Sequence, residues 1–324
     1  MQRVADVSKS KMSWPQDHPV LVHFLLSLAI SWAGWIPDGA SQAGLISWKV
    51  PTEISMFSQY GPFIAALILS AREGGWGGVR DLLGRFVRWR VGLQWYVFVL
   101  LIPPAVGASV LGVHTLAAGT RPHFEYLADW YVRNAAAIRT GGWNVLEKTP
   151  LPSFGLIAWL ADVAARGPFP CLLVWAAMAI GNGGISEEPG WRGYELPRLQ
   201  ARRSALGASL YLGLLWGLWH TGPDFWKLIF EGRLLAVVLP IGTIFGTLPL
   251  AVLFTCVFNN TGGSLLLCIL FHAAINSTYN LLSLLAPDFP FTIRYMEFST
   301  LYAVIAVILV LVFGRDRLRR GVAS

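Results

Sequence analysis

The chain has 324 residues, of which 55% are hydrophobic and only 13% are charged, and it contains fifteen tryptophans. This composition leaves too little polar material to cover a water-soluble globule of this length, so it predicts a membrane protein. The formal net charge of +7 would suit a nucleic-acid partner, but the cations lie at the ends of apolar segments. Anionic lipid headgroups are therefore the expected partner, and nucleic acid is not.

Apolar stretches near the roughly 20 residues needed to cross a bilayer recur along the whole chain. We predict eight spans, near residues 20–36, 53–71, 93–113, 167–200, 205–220, 234–258, 265–285 and 298–313. The fold class expected from this pattern is all-α, as a multi-pass transmembrane helical bundle.

Basic residues cluster at 72–90, 198–203 and 315–320, with three more cations near the start of the chain. Eight spans place all of these clusters on one side of the membrane. Because basic loops favour the inner side, both termini are predicted to be cytoplasmic.

Three further features of the chain have structural interpretations. The basic and apolar residues of 77–91 alternate at helical spacing, which predicts an amphipathic helix on the inner surface. The polar interval 114–166 falls outside the membrane, and its part 124–139 could form an interfacial helix. The cysteines lie in apolar stretches without C-x-x-C spacing and are interpreted as packing residues: Cys171, Cys256 and Cys268.

The main candidate for chemistry is the run 187–192, Glu-Glu-Pro-Gly-Trp-Arg. The apolar residues 168–180 are too few to cross a bilayer, so the helix is expected to continue past the glycines at 181–184 and carry Glu187 and Glu188 into the membrane. Glu187 and His220 are equidistant from a turn near Arg203, about 24 Å along each helix of a hairpin, and would share a level. Alternatively, Ser186 could simply cap the start of a helix, which would leave the glycines in a loop.

Helical spacing groups several of the polar residues. His272 and Asn276 project from one helix face, and Glu188 and Arg192 are spaced for an ion pair. This leaves Glu187 for chemistry. Trp216 could orient the imidazole of His220, four positions later.

A structural reading of these residues remains open. His220 could be an interfacial residue, and His272, together with Asn276, could form interhelical hydrogen bonds. However, a charged side chain at the centre of a span costs about 2.5–3.5 kcal/mol, which favours function over packing.

These motifs, Glu187-Glu188-x-x-x-Arg192, Trp216-x-x-x-His220 and His272-x-x-x-Asn276, resemble those of the CAAX protease and bacteriocin-processing family of intramembrane glutamic endopeptidases. The surrounding strings resemble prokaryotic members, and one departure is Trp216, where the family usually has phenylalanine.

The resemblance implies that Glu187, helped by His220, activates a water molecule, while His272 and Asn276 stabilise the oxyanion. It also implies a catalytic core at 167–285, preceded by N-terminal spans at 1–166 and followed by a C-terminal helix and basic tail at 286–324. The implied location is the prokaryotic inner membrane. The implied substrate is a peptide or membrane-anchored protein, in CAAX-type processing or bacteriocin maturation.

The sequence leaves two alternatives to this mechanism open. The chain lacks the H-E-x-x-H and G-x-S-x-G patterns of other hydrolases, so we expect no cofactor. Glu187, His220 and His272 are nevertheless acceptable zinc ligands. A non-catalytic membrane protein, such as a transporter or scaffold, could also contain such a polar network.

Overall fold

The computed structural model describes residues 18–119, 142–143, 149–150, 180–286 and 291–319. Four of the predictions concern residues outside these ranges: the N-terminal basic residues, the interfacial helix at 124–139, Cys171, and the first part of the span at 167–200.

Most of the predicted apolar stretches, where the structure describes them, form helices near the expected positions. Their bounds are α1 (Pro19–Gln42), α2 (Thr52–Ser58), α3 (Gly61–Leu83), α4 (Leu93–Ala118), α5 (Ala205–Trp219), α6 (Pro223–Phe230), α7 (Leu235–Asn260), α8 (Leu265–Leu285) and α9 (Phe291–Phe313). A further helical segment, residues 180–200, precedes α5 and is called helix 180–200. Apart from one short antiparallel pair, β1 (Gly142–Trp143) and β2 (Thr149–Pro150), the described secondary structure is helical, as predicted.

Local sequence signals explain where several helices begin. Proline occupies the first turn of α1, α3 and α6, where its missing N–H breaks no helical hydrogen bond. Ser204 caps α5 by accepting from the backbone N–H of Gly207 at 3.2 Å, and Ser264 caps α8 by accepting from Leu267 at 3.3 Å. The last two caps lie at the turns that bring α5 and α8 toward helix 180–200.

Within the described ranges, four helices are long and apolar enough to cross a membrane: Pro19–Gln42, Leu93–Ala117, Leu235–Asn260 and Ile293–Phe313. Only 28–33% of the most apolar window of each is buried inside the protein, so most of its side chains face outward. Such a surface is costly in water and suited to lipid, which supports a multi-pass membrane protein. Eight spans and cytoplasmic termini stay predictions, because α5 and the apolar part of α8 are shorter.

Two expectations for the N-terminal part hold only in part. The predicted span at 53–71 is divided between α2 and α3. The predicted amphipathic helix at 77–91 ends already at Leu83. It is separated from the preceding helical residues by a break at Gly75, whose φ of 57° lies outside the helical region.

The reason for this early end is tertiary. The backbone carbonyl of Arg85 accepts from the N–H of Leu265 at 3.0 Å, and that of Arg88 accepts from the Ser264 hydroxyl at 2.7 Å. The chain beyond Leu83 is therefore bonded to the start of α8 and does not continue as a helix.

Helix 180–200 lies among the other elements. It packs against α3 and α8 and also contacts α1 and α5, while α5 packs on α7 and α8 packs on α4. Trp191, Tyr194 and Leu196 of this segment are at most 1% exposed. A helix so enclosed holds its polar side chains in positions that its neighbours determine.

Candidate active site

Helix 180–200 contains the Glu-Glu motif in an irregular helix. Two π-helical stretches, Ile180–Ile185 and Pro189–Glu195, flank a single α-helical turn at Ser186–Glu188. Ser186 lies inside the helix, and its hydroxyl accepts from the N–H of Gly183 at 2.9 Å. The alternative in which Ser186 starts the helix is therefore wrong. π-Helical turns inside helices are frequent at functional sites, because the extra residue changes the direction of the side chains.

The Glu187 carboxylate is buried and is held by two indoles. Its Oε2 accepts from Trp216 Nε1 at 2.6 Å and from Trp191 Nε1 at 3.3 Å, and the residue is 5% exposed. Trp216 belongs to α5, so this contact joins the two arms of the predicted hairpin. Two donors on one carboxylate oxygen fix the orientation of the group.

Glu188 connects the first motif to the third. Its Oε1 lies 2.9 Å from Arg192 Nη1, the i,i+4 ion pair expected from the spacing, and 2.7 Å from His272 Nδ1. Glu188 and Arg192 are fully buried. The Arg192 guanidinium also lies over the rings of Trp216 and Phe254, 4.2 and 4.0 Å from their centroids.

His220 lies at the end of α5, where the side chain is exposed. Its Nδ1 lies 2.8 Å from the backbone oxygen of Trp216, so the proton is on Nδ1 and Nε2 of the neutral ring is an acceptor. The Trp216 ring lies 5.5 Å from the His220 ring and 5.8 Å from the His272 ring, between centroids. Trp216 thus contacts Glu187 and lies beside both histidines.

His272 and Asn276 of α8 both point at Gly183. A Cβ placed on this glycine would lie 2.7 Å from His272 Nε2 and 2.8 Å from Asn276 Nδ2. The φ of Gly183 is +94°, which side chains rarely adopt. Glycine here lets the backbone of helix 180–200 approach both polar groups.

The structure therefore gathers residues from all three motifs around Trp216 and Gly183. Gly183 and Trp191 were not predicted from the sequence to belong to the site. A usable signal for the first was the glycine-rich string immediately before the acids. The signal for Trp191 was its i,i+4 spacing from Glu187, the same spacing that identified Arg192 as a partner of Glu188.

The zinc alternative concerns three of the side chains at this site. Among the residues that the structure describes, which include Glu187, His220 and His272, no three histidine, cysteine or acidic side chains are grouped so that they could hold a metal ion. His272 Nδ1 is also already bonded to Glu188.

The fold and the site define a helical membrane protein in which buried acids meet imidazole and amide groups from neighbouring helices. Residues 168–278 match the family model described as type II CAAX prenyl endopeptidase Rce1-like. The chain is also similar to CAAX prenyl protease 2 of Methanococcus maripaludis, with 30% identity over 125 residues, which are 38% of this chain and 44% of that protein. The chain thus spans less than half the length of this curated relative. Residues 168–278 are thus similar to the Rce1-like family, in agreement with the resemblance of the motifs.

Proposed function

We propose that this chain is an intramembrane endopeptidase that hydrolyses peptide bonds of membrane-anchored proteins or peptides. The observation that carries the proposal is the buried Glu187 carboxylate, which accepts from the indole N–H groups of Trp191 and Trp216. The Trp216 ring also lies beside the rings of His220 and His272. The Rce1-like match and the outward-facing apolar helices support it. The proposed location is a prokaryotic cell membrane, with the lipid bilayer as surroundings.

In the proposed reaction Glu187 is the general base. It takes a proton from a water molecule, whose oxygen then adds to the carbonyl carbon of the substrate peptide bond. His220 assists through Nε2, which is the acceptor in its neutral ring. Because His220 is exposed while Glu187 is buried, His220 can also pass water and protons between the surface and the base. The bond to nitrogen then breaks, and the departing amine takes the proton.

His272 and Asn276 are proposed to stabilise the oxyanion that forms on the carbonyl. The Asn276 amide nitrogen is a permanent donor, but His272 Nε2 donates only when the ring carries both protons. Glu188 Oε1 lies 2.7 Å from the opposite nitrogen, Nδ1, and so holds the ring with Nε2 directed at the site. The Glu188–Arg192 pair therefore supports the oxyanion donor, and preorganised donors of this kind typically contribute about 10²–10³-fold to the rate.

The proposal is tested with purified full-length protein in detergent and a panel of peptides, with and without a prenylated C-terminal cysteine motif. Glu187→Gln preserves the size of the side chain and removes the base, so we expect peptide cleavage to fall by about 10²–10⁴-fold. The matched control is Glu231→Gln, on a partly exposed glutamate whose partners are Lys227 and Arg233. Unchanged cleavage in Glu187→Gln would exclude the proposed base.

The same assay addresses the non-catalytic alternative. If the wild-type chain cleaves none of the peptides and no co-expressed membrane-anchored substrate, the polar network is that of a transporter-like or scaffold protein.

A further inference from the structure

A second buried acid–imidazole pair joins α1 to helix 180–200. His23 Nδ1 lies 2.7 Å from Glu195 Oε1, and His23 Nε2 lies 3.0 Å from the backbone oxygen of Pro62 at the start of α3. His23 and Glu195 are both fully buried. The proposed reaction uses neither residue, and His23 lies outside the segment that matches the family model.

The protons of this pair follow from its contacts. A carbonyl oxygen only accepts, so His23 Nε2 carries a proton, and Nδ1 shares one further proton with Glu195. The pair is neutral as a unit, either as imidazolium and carboxylate or as imidazole and carboxylic acid.

Other charged groups face the same pair. The positive charges of Arg192 and Arg198 attract the Glu195 carboxyl. The Tyr194 ring stacks on the His23 ring, with centroids 4.9 Å apart, and the Tyr194 hydroxyl donates a hydrogen bond to Glu73 of α3. The pair is thus a neutral clamp between three helices.

The clamp is connected to the candidate base through Trp191. The Trp191 ring contacts the His23 ring edge-on, with centroids 5.8 Å apart, and the Trp191 indole N–H donates to Glu187. α1 also supports the other side of the site. Ser31 accepts from Trp219 Nε1 at 3.0 Å, and the Trp219 ring lies 5.3 Å from that of His220.

We propose that His23 and Glu195 are positioning residues, which hold the Trp191 indole against Glu187 and so fix the orientation of the base. This inference rests on the proposed function. Neither residue touches substrate in this arrangement, so loss of the clamp affects the rate of the chemical step and not substrate binding. A misplacement of about 1 Å in a catalytic group can cost roughly 10²-fold in rate.

Two variants at one position separate positioning from other roles. Glu195→Leu keeps the approximate size of the side chain and removes the hydrogen bond to His23. Glu195→Gln keeps that bond, since the amide can accept from Nδ1 or donate to it. We expect Glu195→Leu to lower kcat by roughly tenfold to a hundredfold with KM changed less than about twofold, and Glu195→Gln to recover most of the loss.

The matched control is Ser27→Ala on α1. Ser27 is also fully buried, but its hydroxyl bonds to the backbone oxygen of His23 within the same helix. We expect its kcat per folded molecule to stay within about twofold of the wild type. Should Glu195→Leu not fold, His23→Gln, which retains a donor for the Pro62 carbonyl, is expected to show the same loss of kcat.

A double-variant cycle tests the route through Trp191. If the clamp acts through this indole, adding Glu195→Leu to Trp191→Phe lowers kcat little further. Full kcat in Glu195→Leu, or losses that simply multiply, would overturn the inference. Failure of the proposed function would be seen separately, if the wild-type protein shows no cleavage or if Glu187→Gln remains active. Failure of the clamp can be concluded only when the wild-type protein is active and Glu187→Gln is inactive.

Discussion

Gly183→Ala is the substitution that most directly tests the geometry of the third motif. Ordinary van der Waals contact of a Cβ begins near 3.4 Å, whereas here the new methyl group would lie 2.7 Å from His272 Nε2 and 2.8 Å from Asn276 Nδ2. Each polar atom would have to move by about 0.6–0.7 Å. These are the two groups that are proposed to stabilise the oxyanion.

The expected effect has two parts. Holding a non-glycine residue at a φ of +94° costs about 1–3 kcal/mol of stability. The displacement of both donors approaches the 1 Å that can cost about 10²-fold, so we expect kcat to fall by roughly tenfold to a hundredfold.

The assay combines peptide cleavage with thermal unfolding in detergent. Gly44→Ala is the matched control, because Gly44 has a φ of +75° and a Cβ there would meet nothing within 4 Å. It should lose stability through the same backbone strain but keep its kcat per folded molecule. If Gly183→Ala also keeps full kcat once the folded fraction is equal, the donors are not at Gly183 and the site geometry is wrong.

Three other outcomes are expected. Arg192→Met leaves Glu188 as a buried acid without its cation and should lower the free energy of unfolding by about 3–5 kcal/mol. This loss would be measured as a lower unfolding temperature or as loss of folded protein, and wild-type stability would contradict the role of the pair. Metal chelators should leave cleavage unchanged, and a loss that added zinc restores would refute the metal-free mechanism. Gly217→Val would place its Cβ 2.7 Å from Ile244 Cα and separate α5 from α7, which should lower the free energy of unfolding by about 1–3 kcal/mol. An unaltered unfolding temperature would contradict close packing of the two helices at this position.

Much of the local structure could be predicted because it depends on neighbours along the chain. α8 begins and ends at the predicted residues, and α5 and α7 differ from prediction by one or two residues at their ends. The Glu188–Arg192 pair is likewise a matter of i,i+4 spacing, which any helix brings together. The failure at 84–91 is of the other kind, since those backbone groups bond to the start of α8, which is far away in sequence.

The amino-acid sequence by itself determined that this is a helical chain with long apolar segments, and it placed three polar motifs on three of them, because hydrophobicity and helical spacing are local properties. Only the tertiary structure decided that both indoles bond to Glu187, that Glu188 is shared by Arg192 and His272, and that α1 supports the site through His23. The physical reason is that contacts between helices depend on their rotation and crossing, which packing against every neighbour sets together.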